Sequence, residues 1–204
     1  MKRKSLTILI AVVLVVVCAI GGTLAWLTAQ TQEVTNTFTV GNIDITLTET
    51  GAIDTDNDEF VDSKSYSMVP GTVLDKDPKI TVAGGSEKCY LFVKVDKSTT
   101  LDTYIAYTID SGWKNVPNAD DVYYQIVNKN AGNRDFGVLA NDTVTVKNTV
   151  TKDNMDYLNT DEAIQPTLSF KAYAVQYDNI YDATKSEDEN AAVAWVKAQT
   201  DGSN

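Results

Sequence analysis

Alternation of apolar and polar residues with a period of two runs through most of this chain, and it constrains the fold more than any other feature. β-branched and aromatic side chains dominate these runs, as they do in strands with one buried face. Candidate strands cover residues 43–47, 79–83, 88–95, 105–109, 122–127, 143–150 and 167–177. Turn sequences such as Pro70-Gly71 and Gly84-Gly85 separate them. The pattern predicts an all-β fold, a jelly-roll-like β-sandwich.

The first alternating run changes phase at Gly41-Asn42. Before it, the apolar residues Val34, Phe38 and Val40 occupy even positions, whereas the apolar residues of 43–47 occupy odd positions. A shift of one residue exchanges the two faces of a strand. The sequence therefore predicts a bulge or kink at this glycine within one long, bent strand.

The C-terminal segment 186–199 has a helical pattern. Ser186 followed three residues later by Glu189 is typical of a capping box, and an alanine-rich run containing Trp195 comes next. We expect a short C-terminal helix that packs Trp195 against the sandwich; a partner-binding helix face is the alternative. Residues 153–164 are predicted to form a loop or a short helix.

The N-terminus has the features of a secretory leader. Basic residues 2–4 precede an apolar run at 6–20, and small residues at 21–25 supply a cleavage site. No basic cluster follows the apolar run, which is shorter than a typical spanning helix of about 20 residues. We expect cleavage between Ala25 and Trp26, so that 1–25 is a signal peptide and the uncleaved leader is the only membrane contact. Residues 26–204 then form a single β-sandwich domain.

The charge of the chain excludes nucleic acid as a partner. Lys and Arg number 17 against 28 Asp and Glu, a net charge of −11, and loss of the leader's three basic residues makes the chain more acidic still. Binding to a phosphate backbone depends on clustered Lys and Arg, and the basic cluster at residues 2–4 leaves with the leader. The same negative charge disfavours binding to anionic membrane surfaces.

An acidic loop at residues 54–62 is a candidate calcium site. Asp54, Asp56, Asp58 and Asp62 place carboxylates at alternating positions, as oxygen-ligand calcium loops do. Glu59 replaces the glycine that an EF-hand requires at its sixth position, so that motif fails. An irregular calcium site and a solvated acidic loop both remain open, and no other cofactor is indicated.

Cysteine and histidine usage argues against catalysis. Cys18 lies in the leader, so Cys89 is alone in the mature chain and is predicted to be a buried strand residue. Leu91, Val93 and Val95 share its strand face. Because the chain contains no histidine, it lacks the commonest zinc ligand and the base of Ser and Cys triads. We therefore expect no enzymatic activity.

Four segments resemble the TasA/camelysin family of Gram-positive bacteria. They are GGTLAWLT at 21–28, NTFTVGNIDI at 36–45, MVPGT at 68–72 and LSFKAYAVQ at 168–176. The third resembles the family's x-Pro-Gly turn and the fourth its final core strand. Members of this family are processed by a signal peptidase of the SipW type, and the best known build biofilm matrix fibres. Some camelysin relatives are described as metalloendopeptidases, an activity that the missing histidine disfavours here.

These features together predict a secreted structural protein of the cell surface or biofilm matrix, which self-associates or joins related subunits. Val34, Phe38 and Val40 mark a strand that we expect to pair with a neighbour's sheet after cleavage. Its alternative role is as the first strand of its own sheet. Two other functions stay open: a monomeric surface-binding module for glycan or protein, and a camelysin-like metalloendopeptidase.

Overall fold

The computed structural model describes residues 42–52, 64–160, 164–178 and 180–201. These residues form ten strands, three α-helices and one 3-10 helix. The strands are β1 (Ile45–Thr48), β2 (Val73–Asp75), β3 (Lys79–Val82), β4 (Cys89–Lys97), β5 (Ile105–Ala106), β6 (Lys114–Asn115), β7 (Val122–Val127), β8 (Arg134–Gly137), β9 (Thr143–Val146) and β10 (Leu168–Gln176). The helices are α1 (Leu101–Tyr104), the 3-10 helix (Ala140–Asp142), α2 (Lys152–Leu158) and α3 (Glu187–Asp201).

The described strands form three antiparallel sheets. Sheet I has the order β1-β3-β8, sheet II the order β10-β4-β7-β6, and sheet III the order β2-β9-β5. β10 pairs with β4 along its whole length, with Leu168 opposite Lys97 and Gln176 opposite Cys89. Sheets I and II share an apolar core that includes Ile80 and Leu91. The predicted all-β, sandwich-like fold with a C-terminal helix is confirmed.

Strand β4 is buried on both faces. Cys89, Leu91 and Val93 are fully buried in the core shared with sheet I, as predicted for the cysteine face. Tyr90 and Phe92 point the other way and are also fully buried. The sequence predicted only the cysteine face to be apolar, because Lys88 and Lys94 lie on the same face as Tyr90 and Phe92. Helix α3 covers that second face.

Helix α3 begins as its sequence predicts. The Glu189 carboxylate accepts hydrogen bonds from the Ser186 backbone N–H (2.8 Å) and hydroxyl (3.0 Å), and the Glu189 N–H donates back to the Ser186 hydroxyl. Trp195 is 7% exposed. Its ring centroid lies 5.4 Å from that of Phe92 and 5.1 Å from that of Tyr173. The packing of Trp195 on the sandwich is confirmed.

Other local predictions hold in part. Thr72 donates its N–H to the carbonyl of Val69 across Pro70-Gly71, and Gly71 has a φ of 82°, so the predicted tight turn forms. Helix α2 occupies the start of the segment predicted as loop or short helix. Three short strands, β2, β6 and β8, were not predicted. No helix within the described ranges has both the length and the apolar character needed to cross a membrane.

Candidate functional site

A cleft of about 760 Å³ opens where the end of β1, the connection from β2 to β3 and the start of β10 meet. Its volume lies within the range of about 300–1,000 Å³ that is typical of ligand sites. Polar groups from Glu49, Lys64, Tyr66 and Lys76 reach it at one side. Its apolar wall includes Leu47, Met68, Leu74, Ile105, Val144 and Phe170.

A buried ion pair lies at the polar side of this cleft. The Lys76 Nζ is 2.8 Å from the Glu49 Oε2, and the two side chains are only 10% and 14% exposed. The Lys76 ammonium also lies 5.5 Å from the ring centroid of Tyr66 and 5.6 Å from that of Phe170. Two aromatic faces therefore supplement the carboxylate in stabilising this charge away from water.

Tyr66 completes the group around Glu49. Its hydroxyl donates a hydrogen bond to the Glu49 Oε1, the oxygen that does not face Lys76. Burial, together with the negative charge of Glu49, raises the pKa of Tyr66 above its ordinary value. The phenol therefore stays protonated and acts as a donor. Each oxygen of Glu49 therefore has a partner within this cluster, Tyr66 for one and Lys76 for the other.

The rim of the cleft is held by contacts to Thr50. The Lys64 Nζ donates to the Thr50 carbonyl (2.9 Å), and the Thr50 N–H donates to the Asp77 Oδ1 (3.0 Å). Hydrogen bonding by Thr50 keeps the pKa of Asp77 below its ordinary value. Lys64 also lies 5.0 Å from the ring centroid of Tyr66. These contacts place a second cation at the entrance.

Two edge strands flank the cleft. β1 is at one edge of sheet I and β10 is at one edge of sheet II in the described part of the chain. The core-facing side chains of both strands are only half-buried, in contrast to the fully buried residues of β4. They are Ile45 and Leu47 on β1 and Phe170, Ala172 and Ala174 on β10. β1 and β10 also lie close to one another, so a further strand can be accepted only where this contact leaves the N–H and C=O groups of an edge free.

The residues predicted from the sequence as sites all lie outside the described residues. They are Ala25 and Trp26 at the cleavage site, Val34, Phe38 and Val40 in the assembly strand, and Asp54, Asp56, Asp58 and Asp62 in the acidic loop. Within the described ranges, no three His, Cys, Asp or Glu side chains come together in a way that could hold a metal ion.

The cluster of Glu49, Tyr66 and Lys76 was not predicted. Glu49 and Lys76 are separated by 27 positions, and neither belongs to a motif. No local signal was available, since Lys76 lies directly between Asp75 and Asp77, which already supply carboxylates beside it in the sequence. The sequence gives no means of choosing Glu49 among so many acidic residues.

Comparison of this chain with known proteins does not assign it to a family. The chain matches no protein-family model, no curated protein and no solved structure.

Proposed function

We propose that this chain is a secreted structural subunit of the cell surface or extracellular matrix, similar in role to the TasA family. Subunits join when the N-terminal segment of one, containing Val34, Phe38 and Val40, adds a strand to a sheet of the next. The observation that carries this proposal is the pair of edge strands, β1 and β10, with half-buried core-facing side chains beside an apolar cleft.

The pattern of the N-terminal segment fits such an edge. Val34, Phe38 and Val40 lie at even positions, so in an extended strand they share one face. An added strand gains main-chain hydrogen bonds along the edge and buries that face against the recipient. No proline lies between Trp26 and Val40 to interrupt the hydrogen bonds.

The contact made in this way has a direction. The donor contributes its N-terminal segment and the recipient a sheet edge, so the two surfaces are different. A heterologous contact that does not close into a ring extends into a filament. Removal of the leader by a SipW-type peptidase releases the donor segment, which confines assembly to the outside of the cell.

A structural role also fits the chemistry of the chain. It contains no histidine, and the buried charges of the cleft, Glu49 and Lys76, are paired with each other. We therefore propose that the protein is not an enzyme. Its acidity disfavours nucleic acid, so its partners are copies of itself or related matrix subunits.

Deletion of residues 26–40, which removes Val34, Phe38 and Val40, together with two point variants, tests strand donation. Phe38→Asp places a charge on the apolar face of the donor, whereas Thr37→Asp places the same charge on the opposite face. We expect fibres, seen by negative-stain microscopy, to be lost after the deletion and in Phe38→Asp but kept in Thr37→Asp. The thermal unfolding midpoint of the monomer should stay unchanged.

Two results would contradict the proposal. Fibres that persist after the deletion would show that another surface joins the subunits. A fall in the unfolding midpoint of a chain that stays monomeric at high concentration would show that the segment completes its own sheet.

The cleft supports one other function, a monomeric binding module for glycan or protein. Its volume and its mixed lining suit a ligand with an apolar body and one polar end. A glycan-array signal from a strictly monomeric preparation, lost in Lys64→Met, which changes the cation at the entrance and keeps the buried pair of Glu49 and Lys76, would favour this function over the structural one.

A further inference from the structure

Three tyrosine rings lie in a continuous stack at the end of sheet II. The Tyr90 and Tyr177 ring centroids are 5.0 Å apart with an interplanar angle of 20°, and Tyr177 and Tyr181 are 4.9 Å apart at 16°. These values are those of stacked aromatic pairs. We call Tyr90, Tyr177 and Tyr181 the tyrosine stack.

The tyrosine stack runs from the core to the surface. Tyr90 is fully buried, Tyr177 is half-buried and Tyr181 is 48% exposed. An electron removed from any of these rings leaves a positive charge that neighbouring stacked rings share. The ring that finally becomes a radical is the one that loses its phenolic proton most easily.

The two inner rings, Tyr90 and Tyr177, are poorly suited to losing the phenolic proton. The Tyr90 hydroxyl makes no hydrogen bond of ordinary geometry in the described part of the chain, and burial raises its pKa to about 12. The Lys88 Nζ lies only 3.4 Å from the ring centroid of Tyr177. A cation at that distance opposes a positive charge on the ring. Tyr181, with half of its side chain in water, is the favoured place for the radical.

We propose that Tyr181 is a site of oxidative cross-linking, at which two copies of this chain become joined through their tyrosine rings. The oxidant is a peroxide acting through an extracellular haem peroxidase. Each Tyr181 loses one electron and one proton, and the two radicals form a carbon–carbon bond between ring positions ortho to the hydroxyls. The proton on each of the two joined ring carbons then moves to the phenolic oxygen of the same ring, which restores both hydroxyls and both aromatic rings. Overall, two phenols and one hydrogen peroxide give one linked pair and two waters.

Tyr157 supplies an internal comparison for this proposal. It is more exposed than Tyr181, at 56% against 48%, but no aromatic ring of the described residues stacks on it. If exposure alone governed oxidation, Tyr157 would react first. If the tyrosine stack governs it, Tyr181 reacts first. The inference rests on the proposed extracellular location, where the peroxidase acts, but it does not depend on strand donation, because it needs only two chains that meet in solution.

The test treats the purified chain with hydrogen peroxide and a haem peroxidase. Covalent dimer is measured on a denaturing gel, dityrosine by its fluorescence, and the linked residues by mass spectrometry of tryptic peptides. Tyr181→Phe keeps the ring but removes the phenol, and we expect it to lose most of the dimer. Tyr157→Phe should form as much dimer as the unchanged chain.

A third variant tests the contribution of stacking. Tyr177→Leu leaves Tyr181 in place without its stacked neighbour, and we expect slower dimer formation while thermal unfolding confirms the fold. Full dimer formation by Tyr181→Phe, or none by the unchanged chain while free tyrosine is oxidised in the same mixture, would overturn the proposal. An unchanged rate in Tyr177→Leu would also overturn it, because exposure alone would then select the site.

Discussion

The carboxylate of Glu49 and the ammonium of Lys76 lie 2.8 Å apart with side chains that are 14% and 10% exposed, and together they tie two sheets to one another. Glu49 follows β1 of sheet I, and Lys76 follows β2 of sheet III. Burying both charges costs solvation, but removing only one leaves the other unpaired, which costs more. The pair therefore fixes the walls of the cleft relative to one another.

Removing Lys76 alone is expected to destabilise the fold strongly. Lys76→Met should lower the free energy of unfolding by about 3–5 kcal/mol, because Glu49 is left buried without its cation. The double variant with Glu49→Leu removes both charges and should recover most of this loss. Urea denaturation of the two single variants and the double variant gives the coupling energy directly.

An exposed ion pair provides the control for the variants of Glu49 and Lys76. Lys152 and Asp156 form a salt bridge on α2 with side chains that are 82% and 57% exposed. Lys152→Met should leave the urea midpoint nearly unchanged, since exposed pairs contribute little. Additive losses in the double variant at the cleft would contradict the coupling between Glu49 and Lys76.

The buried thiol of Cys89 should make stability depend on pH in the alkaline range. Burial raises the pKa of this thiol from 9.0 to about 11 in the folded chain. Between these values the folded state holds a proton that the unfolded state has released, so the free energy of unfolding falls as pH rises. Cys89→Ser should cost about 1–3 kcal/mol near pH 7, because it adds a buried hydroxyl.

Comparing the unchanged chain with Cys89→Ser isolates the contribution of the thiol to the pH dependence of stability. Serine does not ionise in this range, so the stability difference between the unchanged chain and Cys89→Ser should shrink as pH rises from 9.0 towards about 11. A difference that stays constant across this window would contradict the argument. Slow reaction of the native thiol with a thiol reagent is expected for the same reason.

The alternation of β4 shows what the sequence could predict and what it could not. The period of two correctly placed Cys89 and Leu91 on a buried face, because alternate residues of a strand share one face and their apolar character indicates that this face is buried. Burial of Tyr90 and Phe92 depends on α3, which lies about a hundred residues further along the chain. No local pattern carries that information. The two-residue strand β6 is likewise too short to have a period, and of the strand predicted at 105–109 only Ile105–Ala106 forms one.

The candidate site was less predictable than the fold for the same physical reason. Alternation specifies which side chains are buried, whereas an ion pair such as Glu49 and Lys76 is specified by where two distant segments cross. The tyrosine stack joins Tyr90 on β4 to Tyr177 and Tyr181 after β10, so it too depends on the pairing of these strands.

The packing of α3 on sheet II can be tested with two adjacent residues. Trp195 is 7% exposed against Phe92 and Tyr173, whereas Val196 is 63% exposed. Trp195→Ala should lower the free energy of unfolding by about 3–5 kcal/mol through the cavity that it leaves. Val196→Ala changes the same helix without creating a cavity and should have little effect. Because alanine is the better helix former at both positions, equal changes in the two variants would show that the packing of Trp195 does not stabilise the fold.

The close approach of two turns gives a final test, at a position where only glycine fits. Gly84 follows β3, and a Cβ at this residue would lie 2.3 Å from the backbone carbonyl oxygen of Ala131. The turns are held together because the Gly84 N–H donates to the Asn133 side chain (2.9 Å). Gly84→Ala must push the two turns apart and should cost about 1–3 kcal/mol in thermal or urea unfolding.

Gly132, in the facing turn, is the matched control. A Cβ there meets nothing within 4 Å, so Gly132→Ala should be neutral or slightly stabilising, since it restricts only the unfolded chain. Because the Gly84 turn follows β3 and the facing turn precedes β8, the clash acts where these two strands begin to pair. We therefore expect hydrogen exchange in Gly84→Ala to increase first at Val82 and Arg134, the residues paired at that end. Equal stability of Gly84→Ala and Gly132→Ala would mean that the two turns do not lie this close in solution.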